Sequence, residues 1–325
     1  MTRKISEKCH RRSGSRSHPR SNRRCADASE AVIRCLNAAL QRKFRRCAAR
    51  RPGVGASLTG LARLLGIVLV SLPFVATRAA EPAPRVLLLG EVHDNAAGHA
   101  ARLAWLRTTI TERKLRPALA MEQFDRERQP LLDQALADCR DADCVIAKAG
   151  QGSWDWPLYR PLIQYALDEG LPLLAANVSR DDARRAMKDG LGAVLDAETR
   201  RRHHAEAPVP ADIVAAQHAE IIGSHCGQLP EAVARRMVDA QVARDIWMAR
   251  MVANGAAQRG SAVLIAGNGH VRRDVGVPRW LPPALAATAE VHGFVESEPV
   301  AGEFDVVHRV APQPRPDPCE GMNPG

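Results

Sequence analysis

Four side chains in this sequence have the types and spacing to do chemistry. Glu91 and His93 sit in Gly90-Glu91-Val92-His93, His270 closes Gly267-Asn268-Gly269-His270, and Glu122 follows the apolar run 117–121. Imidazole and carboxylate together ligate metals or serve as acid and base. Both Gly-x-x-His motifs follow a continuous apolar run, Val86-Leu87-Leu88-Leu89 in one case and Ala262-Val263-Leu264-Ile265-Ala266 in the other. A short run that is apolar on both faces suits a central strand of a parallel sheet covered by helices. The glycine lets the backbone turn sharply or approach a ligand where the strand ends. Open α/β sheets bind their ligands at the carboxyl ends of their strands. His93 and His270 are therefore expected at one sheet edge, although they lie far apart in the chain.

The elements that must position these residues alternate. Strands are expected at 85–90, 117–121 and 171–176, with helices at 97–114, 126–137 and from Pro157 to about Glu169. Strand–helix alternation of this kind argues for a parallel sheet with right-handed crossovers. The stretch 139–144 reads as a loop. From Ser179 to Gln258 the pattern is helical, with 179–228 as a smaller helical insertion and one long amphipathic helix from Glu231. The chain returns to the sheet at 262–267, and 291–295 and 304–307 read as late strands. The expected fold class is α/β, a mainly parallel sheet flanked by helices. Glu91, His93 and Asp94, then Glu122, Asn177, Asn268 and His270, mark the carboxyl ends of its strands.

The formal net charge of +10 is unevenly placed. Residues 1–80 hold 18 Lys and Arg against three acidic residues, so the remaining 245 carry a net charge of −5. A nucleic-acid-binding domain carries its own basic patch, and no nucleic-acid partner is expected here. Within the basic front, residues 64–75 form an apolar core preceded by arginines and followed by small residues at Ala76, Thr77, Ala79 and Ala80. That is the order of a secretory signal, and the run is shorter than the ~20 residues of a membrane span; an uncleaved anchor is the alternative. The sequence thus divides into a basic segment 1–53, either disordered or upstream of the true start, a signal at 54–80, an α/β domain at 81–311 and a Pro-rich tail at 312–325. A periplasmic or secreted location is expected, with no cysteine at the signal's end to receive a lipid. Cys139, Cys144, Cys226 and Cys319 form an even set in a compartment that permits disulfides; Cys139–Cys144 would staple a loop and Cys226–Cys319 would tie down the tail.

The motifs resemble, in order, those of the ChaN-like haem-binding proteins of the Tiki/erythromycin esterase/TraB superfamily. They are Gly90-Glu91-Val92-His93-Asp94-Asn95, Met121-Glu122-Gln123-Phe124, Trp154-Asp155-Trp156 with Tyr159, and Gly267-Asn268-Gly269-His270-Val271 with Gly276-Val277-Pro278. The resemblance implies an exported α/β protein linked to haem or iron uptake, with a tyrosine on the iron, a histidine from the partner and two haems packed face to face in a homodimer. An outer-membrane haem uptake system is the implied partner. The chain holds two tyrosines. Tyr159 shares a helical stripe with Leu162, Ile163 and Ala166, the position of a core residue as much as of a ligand, whereas Tyr165 falls on the flank of that stripe. The family spacing after Trp-x-Trp favours Tyr159.

Two function classes follow. In the first, haem is held by Tyr159, with His93, His270 and Tyr165 as further candidates, and its propionates meet Arg180, Arg184, Arg185 or Arg272. In the second, His93, His270, Glu91 and Glu122 surround a divalent ion (Mn, Co or Zn) that activates water, and the protein is a hydrolase or protease.

Overall fold

The computed structural model describes residues 85–152, 154–317 and 319–320. The basic segment and the signal expected at 1–80 lie outside the described residues. Six strands form one sheet in the order β3-β2-β4-β1-β5-β6, and every adjacent pair is parallel. They are β1 (Arg85–Glu91), β2 (Ala118–Asp125), β3 (Leu173–Asn177), β4 (Ser261–Gly267), β5 (Ala289–Val295) and β6 (Val306–Arg309). The two strands that lead into Gly-x-x-His, β1 and β4, are direct neighbours, with Gly90 opposite Ala266 and Glu91 opposite Gly267.

Helices cover both faces. In chain order they are α1 (Ala96–Glu112), α2 (Gln129–Asp138), α3 (Ala142–Ala149), α4 (Trp156–Glu169), α5 (Arg180–Asp189), α6 (Ala197–Arg202), α7 (Ala211–Ser224), α8 (Glu231–Arg259), α9 (Asn268–Val271) and α10 (Pro283–Ala286). Successive side chains of a strand point to opposite faces, and the core divides accordingly. Val86, Leu88, Ala120, Leu264 and Val291 pack with α8 and the residues of 186–246 on one face. Leu87, Leu89, Leu119, Met121, Val263 and Ile265 pack with α1 to α4 on the other. Among the described residues no helix is long and apolar enough to cross a membrane.

Three elements depart from expectation. β2 runs four residues beyond Met121, because Glu122 and Gln123 find polar partners inside the fold and the strand stays buried to Phe124. The stretch around Cys144 is a helix, not a loop: the Asp141 carboxylate accepts from the Cys144 N–H at 2.8 Å and caps α3. The last strand pairs two residues later than expected, since Phe304 packs into the apolar layer before Val306 joins β5.

Both disulfides, Cys139–Cys144 and Cys226–Cys319, are formed. The second fastens the tail to the residues just after α7, and a polar clamp holds the tail from the other side. Arg315 donates to both oxygens of Asp94, each at 2.6 Å, and to both of Glu296 at 2.6 and 2.8 Å. The Arg315 guanidinium holds the Glu296 carboxyl down at about 2. A depressed carboxyl contributes above its unfolded value and loses that contribution as pH falls through the folded one, so the clamp should persist well below pH 4.5. Arg315→Gln should raise amide hydrogen exchange across residues 310–317 at neutral pH and leave β1 and β4 protected. Unchanged exchange in the tail would show that the disulfide alone holds it.

Candidate functional site

The carboxyl ends of β1, β2 and β4 converge, and each Gly-x-x-His motif fits into the other. A Cβ on Gly90 would lie 2.2 Å from Asn268 Oδ1, and one on Gly267 would lie 2.9 Å from His93 Nε2. Each glycine is therefore required by the partner motif's side chain.

Below the edge, the Glu91 carboxylate is buried and fully engaged. It pairs with the buried Arg102 guanidinium of α1 and accepts from Tyr159 Oη at 2.5 Å and from Gln123 Nε2 at 3.2 Å. It also accepts from His93 Nδ1 at 2.9 Å. Burial brings the Arg102 guanidinium down to about 10. Arg102 also donates to His99 Nδ1 at 3.1 Å, and His99 Nε2 donates to the His93 carbonyl at 2.9 Å. Burial keeps His99 neutral by lowering its pKa.

Above this floor stands a second row. His270 Nδ1 donates to Asp245 Oδ1 at 2.6 Å, and its Nε2 lies 3.7 Å from Glu122 Oε1. His93 Nε2 lies 3.9 Å from the other oxygen of Glu122, which also accepts from the Gly267 N–H at 2.8 Å. Gln217 Nε2 supports Asp245 at 3.4 Å. Burial pushes the Asp245 carboxyl up to about 6, against the pull of His270. Burial alone would lower His270, but the Asp245 and Glu122 carboxylates outweigh it and raise its pKa. Glu122 is opposed by burial too, yet His270, His93 and the Gly267 N–H leave it below its ordinary value. Asp245 thus orients His270, whose other nitrogen faces Glu122, whereas His93 keeps 43% of its side-chain surface exposed.

Two cavities lie on either side of the His93–Trp154 ring pair. One of about 380 Å³ is lined by His93, His270, Gly267, Gln217 and Ile221 among others. The second, about 680 Å³, is bounded by Trp154, whose ring stands edge-on to that of His93 at 5.0 Å.

Of the residues expected at the strand ends, Glu91, His93, Glu122 and His270 come together, although Glu122 acts from within β2. Asp94 is turned to Arg315, Asn177 lines the second cavity, and Asn268 Nδ2 braces β5 by donating to the Phe294 carbonyl at 2.8 Å. Tyr159 lies wholly in the core with its proton held toward Glu91, and burial raises its pKa, so it offers iron no phenolate where it stands. Tyr165 is also buried, under the Arg107 guanidinium at 4.9 Å. The four residues of the alternative metal set share this edge without surrounding a common point. Glu91 is occupied by Arg102, Tyr159 and Gln123, and among the described residues no three His, Cys, Asp or Glu are placed to hold an ion. Sequence reasoning missed Asp245 and Arg102. Both are charged residues on the buried face of a helix, where a charge is seldom found unless it is paired.

An all-parallel open sheet with acid–base side chains gathered at its carboxyl edge defines an α/β protein built to receive a ligand there. Residues 79–281, more than half of the chain, match the family described as haem-binding uptake, Tiki superfamily, ChaN, and the protein belongs to that family. A solved structure described as cofacial haem binding to ChaN of Campylobacter jejuni shares the fold. It has a TM-score of 0.51 and 19% identity, covering 69% of this chain and 86% of its own. The type III effector HopBA1 gives a TM-score of 0.41 at 12% identity, over 70% of this chain and 88% of its own. A mutant of the erythromycin esterase EreC in its open conformation gives 0.40 at 13%, over 68% and 74%. No curated protein matches the chain in sequence.

Proposed function

We propose that this chain is an exported haem-binding protein that handles haem or iron, and that His93 is the residue that holds the iron. The observation that carries this reading is the exposed, carboxylate-oriented imidazole at the sheet edge. Glu91 accepts from His93 Nδ1 and so fixes the orientation of the ring. Histidines that bind metal are oriented by such a partner. His93 borders the smaller cavity, and Trp154, in edge contact with its ring, borders the larger one, which supports room for a macrocycle beside this pair. Haem, when bound, supplies an iron that takes axial nitrogen or oxygen ligands. Membership of a haem-binding uptake family supports the same reading.

Export fits the two disulfides, which form and persist in oxidising compartments. An outer-membrane uptake system is the partner such a carrier would serve. A homodimer that stacks two haems, as the family resemblance implies, is the loaded form this reading would take. Hemin added to the purified protein should give a shifted Soret band that saturates at one per chain, and the mass in solution should double. A spectrum identical to free hemin would sink the reading.

A second reading, a hydrolase, is favoured by one observation: the buried Asp245–His270 pair aimed at Glu122. In that reading His270 moves the proton, Asp245 holds its tautomer and stabilises its charge, and Glu122 faces the reacting atoms.

A further inference from the structure

Three arginines line the larger cavity, Arg128, Arg180 and Arg244, together with Asp125, Gln151, Trp154 and Asn177. Most arginines around the site are matched by carboxylates. Arg184 is held by Asp181 at 2.7 Å, Arg185 by Asp182, and Arg272 by Glu220, Asp274 and Glu303 at 2.9, 2.6 and 3.1 Å. The three in the cavity differ. Arg128 donates only to the neutral Gln151 at 3.0 Å, Arg244 only to the neutral Gln241 at 3.4 Å, and among the described residues none of the three has a carboxylate within ion-pair distance. The single acid in the cavity, Asp125, has its carboxyl raised chiefly by burial, which outweighs the pull of the Gln151 amide and of the Arg244 and Arg128 charges.

A cavity with three guanidiniums that form no close ion pair, one indole wall and a single acid has a surplus of positive charge suited to an anion of planar, forked geometry. Arginine pairs with carboxylates through two parallel N–H···O bonds. Trp154 lines this cavity and stands edge-on to His93, so the cavity adjoins the edge where the iron ligand stands. We infer that this cavity is a carboxylate-binding subsite, in which Arg128, Arg180 and Arg244 take the acid side chains of the macrocycle that His93 holds. The inference rests on the haem-binding reading and deepens it, since it says which edge of the macrocycle points inward. Of the four arginines weighed from the sequence for this role, only Arg180 lines this cavity, and Arg128 and Arg244 join it from either side of the sheet edge.

The test compares hemin with hemin dimethyl ester, in which both carboxylates are capped, by Soret titration. On the unaltered full chain hemin should bind at least about tenfold more tightly than the diester. The Arg128→Gln, Arg180→Gln, Arg244→Gln triple variant should lose that preference while binding the diester as the parent does. Arg180→Glu, a change at an exposed side chain, provides a version that tests the charge without touching the packed residues, and should weaken hemin alone. A second readout uses protoporphyrin IX, which has the carboxylates and no iron: its quenching of tryptophan fluorescence should weaken in the same variants. Equal affinity of the parent for hemin and its diester, or full hemin affinity in both variants, overturns the subsite and leaves the haem reading standing. Absence of a shifted band with either compound sinks both.

Discussion

Arg102→Met should destabilise the fold by about 3–5 kcal/mol, the cost of leaving a buried charge without its partner. The guanidinium and the Glu91 carboxylate are both almost wholly removed from water. Tyr159 and Gln123 donate to the same carboxylate but cannot neutralise it. Tyr159→Phe keeps the ring in its packing and removes one hydrogen bond to a charged acceptor, so its cost should be smaller, about 1.5–3 kcal/mol. The double variant Glu91→Gln, Arg102→Met should recover part of the loss, because it removes both charges together. Urea unfolding followed by circular dichroism measures all three. A loss below about 1 kcal/mol for Arg102→Met would show that water reaches the pair.

His93→Ala should abolish the shifted Soret band, weakening hemin by more than about 100-fold, since even the groups that merely orient a ligating histidine are worth 10–100-fold. The fold should survive, because Arg102 still neutralises Glu91 and the ring removed is nearly half exposed. His270→Gln should leave the band in place. The contrast separates the two functional readings: in a hydrolase, His270→Gln would abolish turnover and hemin would be irrelevant to both variants. Tyr159→Phe adds a third arm. Loss of the band there, with the fold intact, would mean that the tyrosine leaves Glu91 when haem arrives, as the family resemblance implies.

The centre of the fold was readable because β1 and β4 are apolar on both faces. That pattern demanded two covering layers and so placed both histidines at one edge. Glu91 and Glu122 were readable as neighbours of that edge, but their roles were not. Whether a carboxylate faces a ligand or a buried guanidinium depends on Arg102 and Tyr159, which come from helices α1 and α4 and meet Glu91 only after the sheet closes. Asp245 was hidden for a related reason: helical periodicity locates the buried stripe of α8 but not the imidazole waiting opposite it. Tyr159 shows how two correct observations can compete. Its stripe with Leu162 and Ile163 marked a core position and its spacing after Trp-x-Trp suggested a ligand, and the fold places it in the core. Helix α3 was missed because two cysteines drew the eye past the Asp141 cap.

The strand order carries a consequence for how the site comes into being. Among the described residues β1 is the first strand made, yet it pairs only with β4 and β5, whose residues begin at Ser261 and Ala289. A chain grows from its N-terminus, so until about residue 267 has been made only β2 and β3 can find each other. Long-range parallel pairing of this kind is slow, because loop closure precedes the contacts that reward it. His93, Glu122 and His270 are therefore assembled in a single late event. A chain truncated before β4 would keep every residue of the floor and have no edge at all, so a ligand at that edge reports a completed molecule.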